Sequence, residues 1–131
     1  MKAIQSAVFN ALSTYSGLSS LVGARIYPDV APQDAIAPRV VWQEISEIQA
    51  NDLGGSVETG GLNRYLIQVT SWAKGAERGA TKAREVDTQV RLAMNAASGF
   101  KTLLLDSRAL DYEPETSLHG YQSDFGVWLS S

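Results

Sequence analysis

Cysteine is absent from this sequence of 131 residues, and histidine occurs only once, at His119. The lack of cysteine excludes disulfides, thiolate metal sites and a cysteine nucleophile, and the single histidine excludes a histidine-rich zinc site. No apolar run approaches the roughly 20 residues of a membrane-spanning helix, and the opening residues, MKAIQS, lack the apolar stretch of a secretory signal. We therefore expect no cofactor, no metal and no membrane partner.

The composition is that of a folded protein. Hydrophobic residues make up 44% of the chain and charged residues 19%, which excludes a disordered or low-complexity segment. A chain of this length corresponds to one domain, and we expect residues 1–131 to form it. The net charge of −3 and the isoelectric point near 5.0 argue against nucleic acid as the main partner.

Two stretches have the period of a helix. Residues 3–16 place apolar side chains on one face, and residues 76–97 carry a stripe of mainly small apolar side chains that ends at Gly99. A short helical turn is also compatible with residues 18–22. In the second helix, Asp87 and Arg91 form an i, i+4 pair, which contributes roughly a few tenths of a kcal/mol on a helix surface.

The remaining regular segments alternate with a period of two. Strands are predicted over residues 39–48, 63–72 and 121–129, with one or two strands over 102–106 and 108–112 and a short extended piece at 25–27. Residues 51–61 contain two glycine pairs and form a long hairpin tip. The order α-β-β-α-β-β indicates an α+β fold, in which an antiparallel or mixed sheet with a long β-hairpin packs against two helices.

The tryptophans bear on the surface of this sheet. Trp42, Trp72 and Trp128 all fall on predicted strands, and two of them lie outside the apolar face that the alternation defines. Apolar side chains on both faces of a sheet mean that both faces are covered. Because the helices cover one face, we expect a neighbouring chain to cover the other, which predicts an oligomer.

Candidates for catalysis are few. A nucleophilic serine needs a nearby base, but the only histidine is His119, predicted to lie in a polar turn, and no Gly-x-Ser-x-Gly motif exists. Glu113 and Glu115 flank Pro114, whose extended geometry makes their carboxylates diverge, so a solvated turn is the better interpretation. A small enzyme using Glu113, Glu115 and His119 stays open as an alternative, and a deep pocket enclosing all three would favour it.

One basic concentration stands out in this acidic chain. Lys74, Arg78 and Lys82 recur at helical spacing, with Arg84 and Arg91 nearby. Such a face suits a phosphate backbone, but acidic residues are interleaved and no aromatic side chain is available to stack a base. A solvated or intersubunit face is favoured, and a small nucleic-acid-binding domain that uses this helix is the alternative.

Several strings resemble one protein family. Residues 21–33 (LVGARIYPDVAPQ) and 37–43 (APRVVWQ) resemble the opening of a family of bacteriophage tail-completion proteins, which includes tail terminators and tail-to-head joining proteins. Residues 111–116 (DYEPET) and 121–128 (YQSDFGVW) are similar to the closing motif of that family. The order and spacing of these strings span nearly the whole chain.

The resemblance implies a structural virion protein without catalytic activity. Members of this family form a ring, typically hexameric, at the head-proximal end of a long tail, where the ring terminates tail-tube polymerisation and mediates head–tail joining. The implied partners are further copies of the chain, the tail-tube protein and a head-completion or connector protein, while DNA only passes through the lumen. Such a protein acts in the virion after assembly in the host cytoplasm. A head-completion or connector adaptor is the alternative within this class.

Roles for particular residues follow as hypotheses. The proline-rich arm, residues 28–38, begins at Pro28 and is anchored by Tyr27; stiffened by proline, it docks on a neighbour at a low entropic cost. Tyr112, Glu113 and Glu115 meet a basic partner on the next subunit. The candidates for that basic partner are Arg25, Arg39, Arg78 and Lys82. The hairpin tip faces the ring lumen or the tail tube, and its residues singled out for this role are Asp52, Gly54, Gly55, Glu58, Gly60 and Gly61.

Overall fold

The computed structural model describes residues 3–32, 35–49, 62–75 and 78–130. In that part of the chain the helices and strands alternate in the predicted order, and the α+β class is confirmed. The elements are α1 (Ala3–Thr14), α2 (Ser16–Val22), β1 (Ile26–Pro28), β2 (Arg39–Gln49), β3 (Leu62–Lys74), α3 (Gly79–Ala96), β4 (Lys101–Ala109) and β5 (Leu118–Ser130).

The strands form one mixed sheet in the order β1-β2-β3-β5-β4. Strand β1 runs parallel to β2, and every other neighbouring pair is antiparallel. The predicted long hairpin is formed by β2 and β3, whose ladder runs from Arg39 opposite Trp72 to Gln49 opposite Asn63. The two edges of the sheet are therefore unlike: the edge strand at one side is the three-residue β1, and at the other it is the nine-residue β4.

All three helices pack on one face of the sheet, which we call the covered face. Its strand residues alternate, as the sequence predicts, and β2 contributes Val40 and Trp42, which are 0% and 2% exposed. The helices fill the space above them at i, i+4 spacing. The core side chains from helices are Ile4, Val8, Leu12, Leu18, Val22, Val86, Val90 and Met94, and those from β3 and β5 include Tyr65, Ile67, Val69, Phe125 and Val127.

Three boundaries differ from the prediction. Residues 16–22 form a complete third helix, because Leu18 and Val22, one turn apart, both enter the core with 0% exposure. Of the one or two strands predicted over 102–106 and 108–112, one forms, and it ends at Ala109; a register shift between Leu104 and Asp106 accommodates an extra residue in it, Leu105. Strand β5 starts at Leu118, so His119 lies in the sheet and the prediction of a turn residue was wrong.

The second face of the sheet, the open face, is polar in its centre. The Asp124 carboxylate accepts hydrogen bonds from Gln68 Nε2 (3.1 Å) and Arg108 Nη1 (3.2 Å), and Gln122 Nε2 donates to Thr70 Oγ1 (2.9 Å). Hydrogen bonding to Asp124, and then to Asp106, raises the pKa of the Arg108 guanidinium above its ordinary value. The second apolar face that the tryptophans predicted is thus interrupted by cross-strand polar pairs that satisfy one another, and its cover by a neighbouring chain stays a prediction.

A buried polar contact fastens α3 to the sheet. Asp87 is 1% exposed, and its carboxylate accepts from Ser123 Oγ of β5 (2.6 Å) and from Arg91 Nε (2.8 Å). Arg91 Nη2 in turn donates to Ser107 Oγ of β4 (2.6 Å). The predicted i, i+4 pair is confirmed, but its carboxylate is buried, while the Arg91 side chain is 34% exposed. Burial raises the pKa of Asp87, against the lowering effects of Ser123 and Arg91.

We expect Leu18→Ala to lower the free energy of unfolding by about 2–5 kcal/mol, because a fully buried leucine leaves a cavity when it is truncated. The matched control is Leu92→Ala on α3, where the leucine is 44% exposed and the change should stay within about 0.5 kcal/mol. Urea denaturation measures both. Equal effects in the two variants would show that α2 does not belong to the core.

The raised pKa of Asp87 predicts how the free energy of unfolding changes with pH. Because the native state favours the protonated form, the stability contributed by this group is fully present below its unfolded value of 3.8 and is lost as the pH rises through the raised native value. Asp87→Asn cannot ionise and escapes this loss. We therefore expect the stability of the variant, relative to the parent, to improve from pH 4 to pH 7 in denaturation experiments. A difference that is independent of pH would contradict this assignment.

Candidate interaction surfaces

The ends of three strands and a loop meet at one end of the sheet. Strand β2 begins at Arg39, β3 ends at Lys74, and β5 begins opposite Lys74 at Leu118. The arm, residues 28–38, and the turn at 113–118 lie beside them, and we call this region the arm end. Strands β2 and β3 lead into and out of residues 50–61 at the opposite end, the hairpin end. The residues named for the hairpin tip fall outside the described residues.

The arm is fastened to its own sheet at both ends. The backbone N–H of Asp29 donates to the Trp42 carbonyl (2.8 Å), and Arg25 Nε donates to the Pro38 carbonyl (2.8 Å). Between these points the arm turns two apolar side chains outward, since Val30 is 77% and Ile36 is 68% exposed. Tyr27, the predicted anchor, is half-buried in β1 opposite Val41 on the open face.

Two grooves flank Arg39 at the arm end. The first, of about 520 Å³, lies between the arm and the turn, and the second, of about 320 Å³, lies between the arm and the open face. Arg39 Nη1 donates to the Ala35 carbonyl (3.1 Å), while Arg39 Nε is enclosed without a hydrogen-bond partner. The lining of the first groove includes Ile36, Lys74 and Glu115, and that of the second includes Val30, Trp72 and Glu113.

This arrangement brings charges together that the sequence analysis placed on different subunits. Arg39 shares a groove with Glu115 and another with Glu113 within one chain. Among the residues that the structure describes, no ion pair joins Arg39 to either carboxylate. Both glutamates are exposed, which agrees with the predicted solvated turn. The grooves are therefore mixed in charge and open to a partner.

The turn itself is held firmly. Glu113 and Leu118 exchange backbone hydrogen bonds of 3.0 and 3.3 Å, and Thr116 Oγ1 donates to Glu113 Oε2 (3.0 Å). Ser117 takes a left-handed conformation (φ 56°), and its carbonyl accepts from the Gly75 N–H (2.9 Å). These bonds hold the turn in a fixed position beside the end of β3.

His119 has a packing role in the described structure. Its ring lies against that of Tyr112, with 4.4 Å between centroids, and a Cβ added at Gly79 would overlap His119 Cδ2. The start of α3 thus sits directly on the imidazole. His119 Nε2 is enclosed and has no hydrogen-bond partner, and neither groove at Arg39 includes His119 in its lining. The three residues of the enzyme alternative therefore do not line a common groove at the arm end.

The basic concentration is not one helix face. Lys74 ends β3, and Arg78 is the N-cap of α3, so the predicted helical spacing begins one element too early. Lys82 approaches Glu85 at 3.9 Å, and the Arg84 guanidinium lies 5.7 Å from the centre of the Tyr121 ring. Arg78 and Lys82 share a shallow surface with Glu85 on α3, separate from the grooves at Arg39.

Edge strand β4 carries an apolar surface that sequence reasoning missed. Leu103, Leu104 and Leu105 are 54%, 40% and 43% exposed. The alternation of residues there predicted only a strand. The available signal was the run of three consecutive leucines: in a strand with one covered face, at least one of them must point away from the core.

Within the described ranges, two kinds of site are not found. No helix is long and apolar enough to cross a membrane. No group of three or more histidine, aspartate or glutamate residues there is placed to hold a metal ion.

Comparisons with known proteins point to one family. The sequence profile of the family "Tail completion protein gp17" matches residues 6–130. Among curated proteins, none matches significantly. Among solved structures, a chain of the "Virion of native gene transfer agent (GTA) particle" is similar in fold, with a TM-score of 0.74 and 20% identity over 98% of this chain and 96% of that one.

The contact between Gly79 and His119 predicts that replacing this helical glycine with alanine destabilises the protein. Alanine is favoured over glycine in a helix, yet we expect Gly79→Ala to destabilise the protein by about 1–3 kcal/mol, because its Cβ overlaps the imidazole. Gly99→Ala, where nothing lies within 4 Å, is the matched control and should be neutral or slightly stabilising. Adding His119→Ala to Gly79→Ala should recover part of the loss in urea denaturation; strictly additive losses would contradict the contact.

Proposed function

Because the chain belongs to the tail completion protein gp17 family, we propose that it forms a hexameric ring on the head-proximal end of a phage tail, terminates tail-tube polymerisation and mediates head–tail joining. Membership of the family makes it a structural component of a phage-type virion and places it in the tail. The finer roles are those that a ring of identical copies performs. They require binding surfaces and no catalysis.

The observation that carries this proposal is the separation of the two ends of the sheet. The arm, Arg39 and the turn at 113–118 converge on the arm end, whereas the 50–61 segment leaves from the hairpin end. Strand β2 has 11 residues, so the two ends lie about 35 Å apart. A subunit that joins a tube to a head needs two unlike surfaces facing opposite ways, and these two ends supply them.

The arm end also suits contact between subunits. Arg39 Nε lacks a hydrogen-bond partner beside an open groove, and a buried donor of this kind is satisfied when a partner group enters. Glu113, Glu115 and Tyr112 remain exposed on the same end. The expected partners are further copies of this chain, the tail-tube protein and a head-completion or connector protein. DNA passes through the lumen, and the acidic Asp52 and Glu58 of the hairpin tip would face either that lumen or the tail tube.

The test is the solution mass by light scattering over a wide concentration range, repeated with purified tail tubes. The proposal expects a hexamer-sized species, or a monomer that assembles only on tubes. A monomer at every concentration that does not bind tubes contradicts the proposal. Because heterologous contacts between identical copies close only at a fixed number of subunits, a continuous distribution of masses would contradict it as well.

Tyr112→Ala combined with Glu115→Ala should weaken assembly at least about tenfold, because two side chains of the arm end would be lost from a contact. The control combines Leu92→Ala with Thr88→Ala, which removes two exposed side chains from α3. Both double variants should remain folded. An oligomer that is unchanged by the first double variant would exclude the arm end from the subunit contact.

A further inference from the structure

We propose that the exposed leucines of β4 in one copy dock against the arm of the next copy, with Leu104 and Leu105 facing Val30. This inference rests on the proposed ring and names the contact that builds it. Neither the β4 leucines nor a pairing of the two sheet edges belongs to the contact residues that the sequence indicated.

The leucines of β4 are an unusual surface for an isolated chain. Single exposed apolar residues are common, but three in succession on an edge strand combine apolar area with a backbone that has a partner on one side only. At the other edge, Val30 is the most exposed large apolar side chain in the described structure, at 77%. Both edges therefore carry apolar surface that water does not stabilise.

The two surfaces lie at nearly the same level of the sheet. The Asp29 N–H donates to the Trp42 carbonyl, so Val30 leaves the sheet at the row of residues paired with Trp42. Leu104 lies in the row of Glu44, two residues further along β2, which is a shift of about 7 Å. The two rows consist of Trp42, Val69, Ser123 and Ser107, and of Glu44, Ile67, Phe125 and Leu104.

A second copy of this chain is the occupant that fits both surfaces. The arm has two acidic residues, Asp29 and Asp34, and no basic one, whereas β4 carries Lys101 and Arg108 against a single Asp106. Arg108 is already paired with Asp106 and Asp124, so Lys101 is the cation that β4 offers to the acidic arm. A contact between unlike edges therefore joins opposite charges as well as apolar side chains.

The direction of the contact has a structural consequence. An interface between β4 of one copy and the arm of the next joins different surfaces, so each copy uses both edges and the assembly continues head to tail until rotation closes it. The two edges are about 19 Å apart across the five strands, which is enough for both contacts to form on one subunit without overlap. The hairpin end stays free for the tube or the head.

Disulfide trapping tests the contact directly, since the parent chain has no cysteine. Val30→Cys is combined with Leu104→Cys or with Leu105→Cys, and the proteins are oxidised mildly, alone and on tail tubes. A covalent ladder that rises one chain at a time supports the proposal, whereas each single variant should give dimers at most. Val30→Cys with Leu92→Cys, on the exposed face of α3, is the matched control and should give no ladder.

The mass of the reduced protein distinguishes a failure of the proposed contact from a failure of the proposed function. If rings form but neither pair gives a ladder, or the control pair gives an equal one, the contact proposed here is wrong and the proposed function stands. If Leu104→Cys alone gives dimers in high yield, identical β4 edges pair with each other and the contact is also wrong. Crosslinks to the tube protein instead of to a second copy overturn it as well, and a chain that never assembles overturns both proposals.

Leu105→Glu provides a second test without oxidation. Leu105 is the extra residue at the register shift and is exposed, so its replacement should leave the thermal midpoint of the monomer unchanged. The variant should nevertheless reduce assembly at least about tenfold, because a buried unpaired charge opposes the contact. Unchanged assembly would contradict the proposal, and Leu92→Glu serves as the control for an added charge elsewhere.

Discussion

The main constraint on this structure is that its helices cover only one of the two faces of the sheet. Three helices cover one face of a five-stranded sheet, and the described chain has no second layer for the other face. That face is therefore exposed to solvent. Its centre is a hydrogen-bonded polar network of Gln68, Asp124 and Arg108, and half-buried tryptophans lie at its two ends. Apolar surface that cannot be accommodated in this way is left at the edges, on β4 and on the arm.

Much of the fold was predictable because it is local. The alternation over 39–48 and 63–72 identified the hairpin, and the helical period over 76–97 identified α3. Helix α2 was harder, since seven residues carry only two core positions, Leu18 and Val22, and a glycine. The polar centre of the open face could not be read from the sequence. Gln68 and Asp124 are 56 residues apart, and only the register of β3 with β5 makes them partners.

The grouping of the candidate residues also could not be predicted from local sequence. Arg39, Glu113 and Glu115 were each identified from local features: an arm, a turn and a family motif. Their convergence around two grooves of one subunit follows from the antiparallel pairing of β2, β3 and β5, which the sequence does not state. The leucines of β4 were overlooked because alternation identifies a covered face but contains no information on which strand becomes an edge.

The register shift at Leu105 also affects what happens to subunits that are made in excess. A regular edge with three leucines would accept any extended chain in several registers, which is the route to cross-β ribbons. The bulge twists this edge and interrupts its ladder, so only a surface shaped to the kink fits against it. If β4 forms the contact that we propose, newly synthesised copies keep an exposed apolar edge for assembly while remaining poor templates for amyloid.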